Sequence, residues 1–398
     1  MAALPFSEAR SIVIERVRRE RARPAVERLR LDEALGRVLA ESIVADRDYP
    51  PFDRSVRDGF AVKTEDLPGP LKVAGEVRAG GLFAGKVAAG EAIEIMTGAP
   101  VPAGADCVVM IEHVQRDADL IRVDRPYKAG DHISPRGVEC RAGDTLLAPG
   151  MRIGFPEIAV MASVGVESVA VYRKPRVAII ATGDEIVGEG ATPLPHQIRN
   201  SNSYSLAAQV RLAGGEPEVL PVAPDSIDET AALIERGLSF DLLLLSGGVS
   251  AGKYDVVEQA LARFDAKFYF DRVLIQPGQP LVFGQAGGTF FFGLPGNPVS
   301  TMVCFEVFAR AAVELLSGLA EAPFALTSAT LTEDFSHRGG LTRFLPARLG
   351  GDGGEITPVR WSGSGDMAAV ARANCFLVAE ADRPEYRRGD TIRLLLRH

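Results

Sequence analysis

The chain reads as a multidomain α/β protein, and three features of its sequence carry that reading. Between residues 176 and 316 one pattern recurs: an apolar strand-like run, a small Gly-rich polar turn, then a helix-like segment. Between residues 43 and 171 Gly and Pro recur and apolar runs are brief, the texture of β structure with many turns. Beyond Glu321 short alternating runs predict a small antiparallel barrel or sandwich.

The recurring pattern is the most informative. Its runs are Arg176-Val-Ala-Ile-Ile180 into Ala181-Thr-Gly-Asp-Glu185, Asp241-Leu-Leu-Leu-Leu245 into Ser246-Gly-Gly-Val-Ser-Ala-Gly252, and Thr289-Phe-Phe-Phe292 into Gly293-Leu-Pro-Gly-Asn-Pro298. Continuous apolar runs between helices read as parallel strands covered on both faces. In such sheets the loops at the carboxyl ends of strands converge on one crevice, where ligands sit. The three turns are therefore expected to line a single site.

The flanking regions follow from shorter patterns. Residues 6–21 predict a helix with Ile12, Val13 and Val17 on one face and Ser7 as its N-cap. Leu31 to Leu39 predicts a second helical piece. Leu71–Ala74, Ala92–Met96 and Cys107–Ile111 predict strands, as do Ala325–Leu331 and Thr391–Leu396 near the C-terminus. The expected domains are 1–172 (a helical linker and a β-rich lobe), 173–320 (α/β) and 321–398 (a small β-barrel).

Composition narrows the function classes. The 398 residues are 46% hydrophobic, enough for real cores, and the net charge of −8 argues against non-specific nucleic-acid binding. No apolar run approaches the roughly 18 residues of a membrane span, and the N-terminus lacks a signal-peptide core. Cys107, Cys140, Cys304 and Cys375 are far apart, which fits a reducing compartment and argues against zinc or an iron–sulfur cluster. The expectation is a soluble cytoplasmic protein.

Each turn allows a structural and a chemical role. Asp184 and Glu185 stand where a buried strand meets solvent. They either cap and solvate the turn or hold Mg²⁺, which takes one or two carboxylates plus substrate phosphates. Ser246-Gly247-Gly248 offers unobstructed backbone N–H groups for phosphate oxygens. Asp255, at the start of the predicted helix Val256–Arg263, is either its N-cap or a carboxylate beside metal or phosphate. Pro295 and Pro298 stiffen Gly296-Asn297 at the entry of the predicted helix Val299–Leu316, with Ser300 in its first turn. In the N-terminal half, Asp58-Gly59 reads first as a hairpin turn and Met96-Thr97-Gly98 as an ordinary Gly/Pro turn.

Together these segments resemble the molybdopterin molybdenumtransferase family (MoeA, and the E domain of gephyrin). The likeness covers nearly the whole chain. It runs through Leu31–Ala40, Pro50-Pro-Phe-Asp53, Asp58-Gly-Phe-Ala61, Met96–Pro102, Thr182–Glu185, Ser246-Gly-Gly-Val-Ser250, Tyr254-Asp255, Pro295–Ser300 and Arg372-Ala-Asn374. The resemblance implies a central three-layer α/β domain like that of MogA, a dimer whose site is shared between subunits, and a Mg²⁺-assisted reaction. In that reaction molybdate enters the dithiolene of adenylylated molybdopterin and AMP leaves. By motif position it implies catalytic roles for Asp58, Thr97, Glu185, Asp225 and Asp255, with metal at Asp255 and Glu185. Substrate contacts fall to Thr182, Gly183, Asp184, Ser246, Gly247, Gly248, Ser250, Pro295, Gly296, Asn297, Pro298 and Ser300. The positions tied to molybdate are those of Gln276 and Gln279, and Arg343, Lys253 and Ser364 are further candidate molybdate contacts in this chain. Partners would include the adenylyltransferase upstream and acceptor molybdoenzymes downstream.

The chain departs from the family pattern at several positions. Arg57 stands where the family has Met, Glu139 where it has Asp, and Lys253 where it has an acid. Gln276-Pro-Gly-Gln-Pro280 replaces a Lys-Pro-Gly-Lys-Pro segment tied to molybdate, and the nearby arginine has moved to Arg343. Charge-assisted hydrogen bonds are about twice as strong as neutral ones, so the two glutamines weaken oxyanion binding unless Lys253, Arg343 or Arg57 compensates. A second reading is therefore a carrier of molybdopterin with little turnover. A third, a molybdopterin adenylyltransferase, needs only the α/β unit and leaves the terminal regions unexplained.

Overall fold

A computed structural model describes residues 2–248 and 256–397. The chain folds into two compact units, one of Met1–Ala40, Pro149–Gly154 and Ser168–His398, the other of Glu41–Ala148 and Phe155–Glu167.

The larger unit is built on a six-stranded sheet: β1 (Arg176–Ala181), β2 (Glu216–Val219), β3 (Leu242–Ser246), β4 (Lys267–Phe270), β5 (Val282–Ala286) and β6 (Thr289–Leu294), in the order β2-β1-β3-β6-β5-β4. The first four are mutually parallel, with Ile179 opposite Leu244 and Leu244 opposite Phe292. β5 runs antiparallel to both β6 and β4.

The continuous apolar runs are explained by cover on both faces. Val177, Ile179, Leu242, Leu244, Phe290 and Phe292 face one core, shared with helices Phe6–Glu20 and Asn202–Leu212 and the helical stretch 298–316. Ala178, Ile180, Leu243, Leu245 and Phe291 face the other, under helices Ile227–Gly237 and Val256–Ala262. The architecture is a three-layer α/β domain with a mainly parallel sheet.

Phe6–Glu20 thus serves the central core, through Ala9, Val13 and Val17, and Ile12 packs at its edge. Ser7 is not its cap: Pro5 holds that position and the chain enters without a side-chain bond. The predicted helix from Leu31 to Leu39 shrinks to a single 3₁₀ turn, Leu31–Glu33. Gly36 then takes φ +77°, and Val38 and Leu39 go to β-bridges with Arg152 and Val171.

Five strands of the C-terminal region close on themselves. Thr342–Leu349 pairs with Glu355–Pro358, then follow Leu326–Leu331, Thr391–Leu396 and Cys375–Ala379, which returns to Thr342–Leu349. Closure removes the sheet edges. Asn374 pins this barrel, accepting from the Leu349 N–H (2.8 Å) and donating to its carbonyl (3.0 Å). Ile275–Gln276, on the chain leaving β4, adds to the barrel alongside Thr342–Arg343.

The smaller unit carries its own six-stranded sheet, including Gly59–Val62, Leu71–Val77, Glu91–Ile95 and Cys107–Met110. Asp58-Gly59 is not a hairpin turn. Arg54–Ser55 pairs with Ile133–Ser134, whereas Gly59–Val62 lies between Glu91–Ile95 and Cys107–Met110. The glycine serves close approach, because a Cβ at Gly59 would overlap the Val109 carbonyl.

Candidate functional site

The three Gly-rich turns meet. A cavity of about 460 Å³ opens at the carboxyl ends of β1, β3 and β6. Its walls include Thr182 and Glu185 from the first turn, Ser246, Gly247 and Gly248 from the second, and all four residues of Pro295–Pro298 from the third. This is the edge at which parallel α/β sheets bind ligands.

Each turn is held by a short set of bonds. The Thr182 N–H donates to the Ser246 carbonyl (3.0 Å), and the Gly247 N–H to the Leu294 carbonyl (3.1 Å), so the three strand ends are locked side by side. Gly247 and Gly248 take φ +93° and +60°, and a Cβ on either would press on Thr182. The nest is smaller than the sequence predicts, since the Gly247 N–H is already used. The Gly248 N–H has no bond among the described residues. In the third turn the Thr301 hydroxyl donates to the Pro295 and Asn297 carbonyls, leaving the Asn297 side chain exposed at the start of helix Pro298–Cys304.

One more segment, 198–202, lines the cavity and carries no signal that the sequence reading used. Asn202 opens helix Asn202–Leu212 and bridges two turns, its Nδ2 donating to Ser246 Oγ and to the Gly296 carbonyl, both at 2.8 Å. Arg199 adds a guanidinium to the wall, and Asn200, two residues ahead of the helix, accepts from the Ser203 N–H (3.1 Å). An Asn-Ser-Asn run after a strand was the available cue.

Two buried polar atoms of these wall residues, Thr182 Oγ1 and Asn202 Oδ1, have no partner among the described residues. Buried polar groups are nearly always bonded, so these two atoms are exceptions among the residues of the cavity wall.

Other expected site residues fall at different distances from this cavity. Asp184 does not line it; its carboxylate accepts from the Asp225 N–H (3.0 Å), which joins Asp225 to the first turn. Gly183, whose N–H donates to the Ala223 carbonyl (3.1 Å), has the Glu185 carboxylate folded against it. Ser300 is buried at 4% exposure inside the helix and does not reach the cavity. The Ser364 carbonyl accepts from the Val299 N–H (2.9 Å), which brings the 362–366 loop to the third turn. Ser250, Lys253 and Asp255 lie outside the described residues.

Gln276 and Arg343 are partners. They stand opposite each other in the added strand, and the guanidinium donates to Gln276 Oε1. Arg343 also donates to His337 Nδ1 (3.1 Å) and the Arg338 carbonyl (2.9 Å) and has no ion pair among the described residues. Burial, with Arg338 nearby, lowers its pKa from the ordinary value. The Gln279 side chain is exposed and its carbonyl accepts from Val273 and Leu281 N–H groups; the next residue, Pro280, lines the cavity.

Within the smaller unit Asp58 and Thr97 form one group. The Thr97 N–H (2.7 Å) and hydroxyl (2.8 Å) both donate to Asp58 Oδ1, and these bonds hold the carboxyl below its ordinary range. Their loops interlock further through Ser55, whose N–H donates to Ala99 (3.0 Å) and whose carbonyl accepts from Gly98 (2.8 Å). Arg57 is exposed, and Glu139 pairs with Arg54 at 2.6 Å.

The fold and the cavity define a three-layer α/β protein with a crevice at the carboxyl edge of its mainly parallel sheet. Residues 4–165 match the MoeA N-terminal region (domain I and II), 178–315 a probable molybdopterin binding domain, and 328–396 the MoeA C-terminal region (domain IV). The chain is 34% identical over 378 residues to a molybdopterin molybdenumtransferase of Staphylococcus epidermidis, covering 92% of this chain and 90% of that one. It is 33% identical over 404 residues to one of Staphylococcus aureus, covering 99% and 95%. Among solved structures, the molybdopterin biosynthesis moeA protein of Pyrococcus horikoshii OT3 superposes with a TM-score of 0.83 at 29% identity over 100% of both chains. A second structure from that organism gives 0.75 at 31% identity over 99% of both. The chain belongs to the MoeA family of molybdenum cofactor biosynthesis. No helix among the described residues is long and apolar enough to cross a membrane.

Proposed function

We propose that this protein is a molybdopterin molybdenumtransferase, which inserts molybdate into adenylylated molybdopterin and releases AMP. The observation that carries the reading is the convergence of three turns on one cavity with two unpaired buried acceptors, Thr182 Oγ1 and Asn202 Oδ1. Such atoms suit the N–H and amino edge of a pterin. Arg199 and the Gly248 N–H suit a phosphate. The regions 1–172, 173–320 and 321–398 would then act as substrate-completing lobes, molybdopterin-binding domain and barrel.

The residues present fit Mg²⁺ in the manner usual for phosphate substrates. Glu185 offers a carboxylate on the cavity wall, and Asp255 stands beyond it in sequence. Mg²⁺ needs only one or two carboxylates when phosphates complete its shell, so the lack of a three-residue ligand cluster among the described residues is no obstacle. Bound there, Mg²⁺ would neutralise charge on the pyrophosphate as AMP leaves. The protein's own part is to hold the pterin by Thr182 and Asn202, to seat the phosphate at the second turn, and to attract molybdate with Arg343 and Lys253.

Arg343 also bears on the carrier reading, which rested on the two glutamines. With its guanidinium held against Gln276, a cation returns to the place where one lysine is missing. That favours turnover. The cytoplasm is the expected compartment, and the acceptors would be molybdoenzymes.

The subunit arrangement is part of the proposal: a homodimer in which Asp58 and Thr97 of one subunit serve the cavity of the other. The decisive assay supplies adenylylated molybdopterin, Mg²⁺ and molybdate and follows AMP. Molybdate-dependent release is expected, and tight binding without release would make the protein a carrier. Mixing Asp58→Ala with Glu185→Ala subunits should restore part of the activity lost in each alone; no restoration would end the shared site.

A further inference from the structure

The opposite edge of the sheet holds a second cavity, of about 270 Å³, at the amino-terminal ends of β1, β3 and β6. With strands of five or six residues rising ~3.3 Å each, it lies roughly 17–20 Å from the first. Its walls come from segment 20–25 leaving the N-terminal helix, from Arg173 and Pro175 before β1, from Phe240 and Asp241 before β3, and from the β5–β6 turn.

The charges on these walls do not cancel. Asp241 is fully used, accepting from Arg173 (2.9 and 3.1 Å) and from the Arg176 N–H (2.7 Å). Glu20 is used as well, by Arg16 (3.0 Å) and the Tyr269 hydroxyl (3.3 Å). Arg21 and Arg23 remain. Arg21 Nη1 is buried without a partner, and neither side chain has a hydrogen bond or ion pair among the described residues. Burial and the nearby Arg18 lower the Arg21 pKa from its ordinary value.

We propose that this cavity is a second ligand site, for a small compound bearing a phosphate monoester. Two unneutralised guanidiniums match a group that carries about −1.5 to −2 charge near neutral pH. Arginine presents paired donors suited to phosphate oxygens. A volume just below the usual range of roughly 300–1,000 Å³ for ligand pockets restricts the compound to a small one. The inference does not depend on the function proposed for the front cavity.

Calorimetric titration of the full chain with phenyl phosphate and with inorganic phosphate tests it. Losing a charge-assisted bond of about 1.5–3 kcal/mol corresponds to roughly tenfold or more in affinity, which is the weakening expected for phenyl phosphate in Arg21→Gln. Arg23→Gln should weaken binding about threefold, as a more exposed contact. Thr182→Val, in the front cavity, should leave that binding unchanged. Arg21→Gln should melt no lower than the parent in phosphate-free buffer, since the guanidinium has no partner to lose. Equal affinity in the parent and Arg21→Gln, loss in Thr182→Val instead, or no binding by the parent at millimolar concentration would each overturn the site.

Discussion

The stretch 298–316 contains two polar regions built on opposite principles. Behind the sheet, Glu306 accepts from Arg310 (2.6 and 3.1 Å) and Gln209 (2.7 Å), while Arg10 donates to the Val307 and Ala322 carbonyls (2.7 and 2.9 Å). Among the described residues nearly every polar atom there has a partner, Gln209 Oε1 being the exception. Burial still pushes the Arg10 guanidinium down to about 10. At the front, where the same stretch begins at Pro298, Thr182 Oγ1 and Asn202 Oδ1 are buried without a partner among the described residues, and Asn297 is left exposed. A paired network fixes structure, whereas an open one holds bonding capacity for a ligand at a cost in stability. The contrast separates scaffold from site without reference to any motif.

Substitutions on the two sides should therefore fail differently. The largest effect is expected from Arg310→Met, which removes the counter-ion of the buried Glu306 carboxylate and leaves it the Gln209 amide as its side-chain donor. Breaking such a buried pair costs about 3–5 kcal/mol, read as a lower midpoint in chemical denaturation. A loss below about 1 kcal/mol would place the pair among ordinary surface bridges.

Asn202→Ala should act mainly on function. It removes the bridge between the second and third turns, so molybdate-dependent AMP release is expected to fall roughly 10–100-fold. The stability loss should stay near 1–2 kcal/mol, because only Ser246 Oγ loses a buried partner. Thr182→Val is smaller still and opposite in sign for folding. Deleting an unpaired buried hydroxyl should leave stability unchanged or higher, while substrate affinity drops about tenfold. Equal stability losses in Thr182→Val and Arg310→Met would erase the distinction drawn above.

The Asp58–Thr97 pair, in the smaller unit, gives the mildest effect and a pH signature. The folded Asp58 carboxyl lies below its unfolded value of about 3.9, so the stability it contributes is present above that pH and lost as pH falls through the folded value. Thr97→Val should destabilise the protein near neutrality, with the difference shrinking below about pH 4. A difference that persists unchanged to about pH 2 would assign the effect to packing.

Much of this was legible from local pattern. Strand runs, Gly-rich turns and the helix entry at Pro298 are set by residues a few positions apart, so the carboxyl-edge cavity and three of its walls could be read directly. Patterns of that range misled at Leu31–Leu39, where tertiary β-bridges overrode helical spacing, and at Asp58-Gly59, where strands of different sheets meet. They also overstated the phosphate nest by leaving the Gly247 N–H unspent.

The amino-acid order alone fixed the parallel strands, the turns that end them and the family to which the chain belongs, because period, glycine and proline act within a few residues. Packing fixed the rest. The bonds from Asn202 to Gly296, from Arg343 to Gln276 and from Thr97 to Asp58 join residues 94, 67 and 39 positions apart. No local rule reaches so far; such pairs form only when buried strands and helices have already set the distances between them.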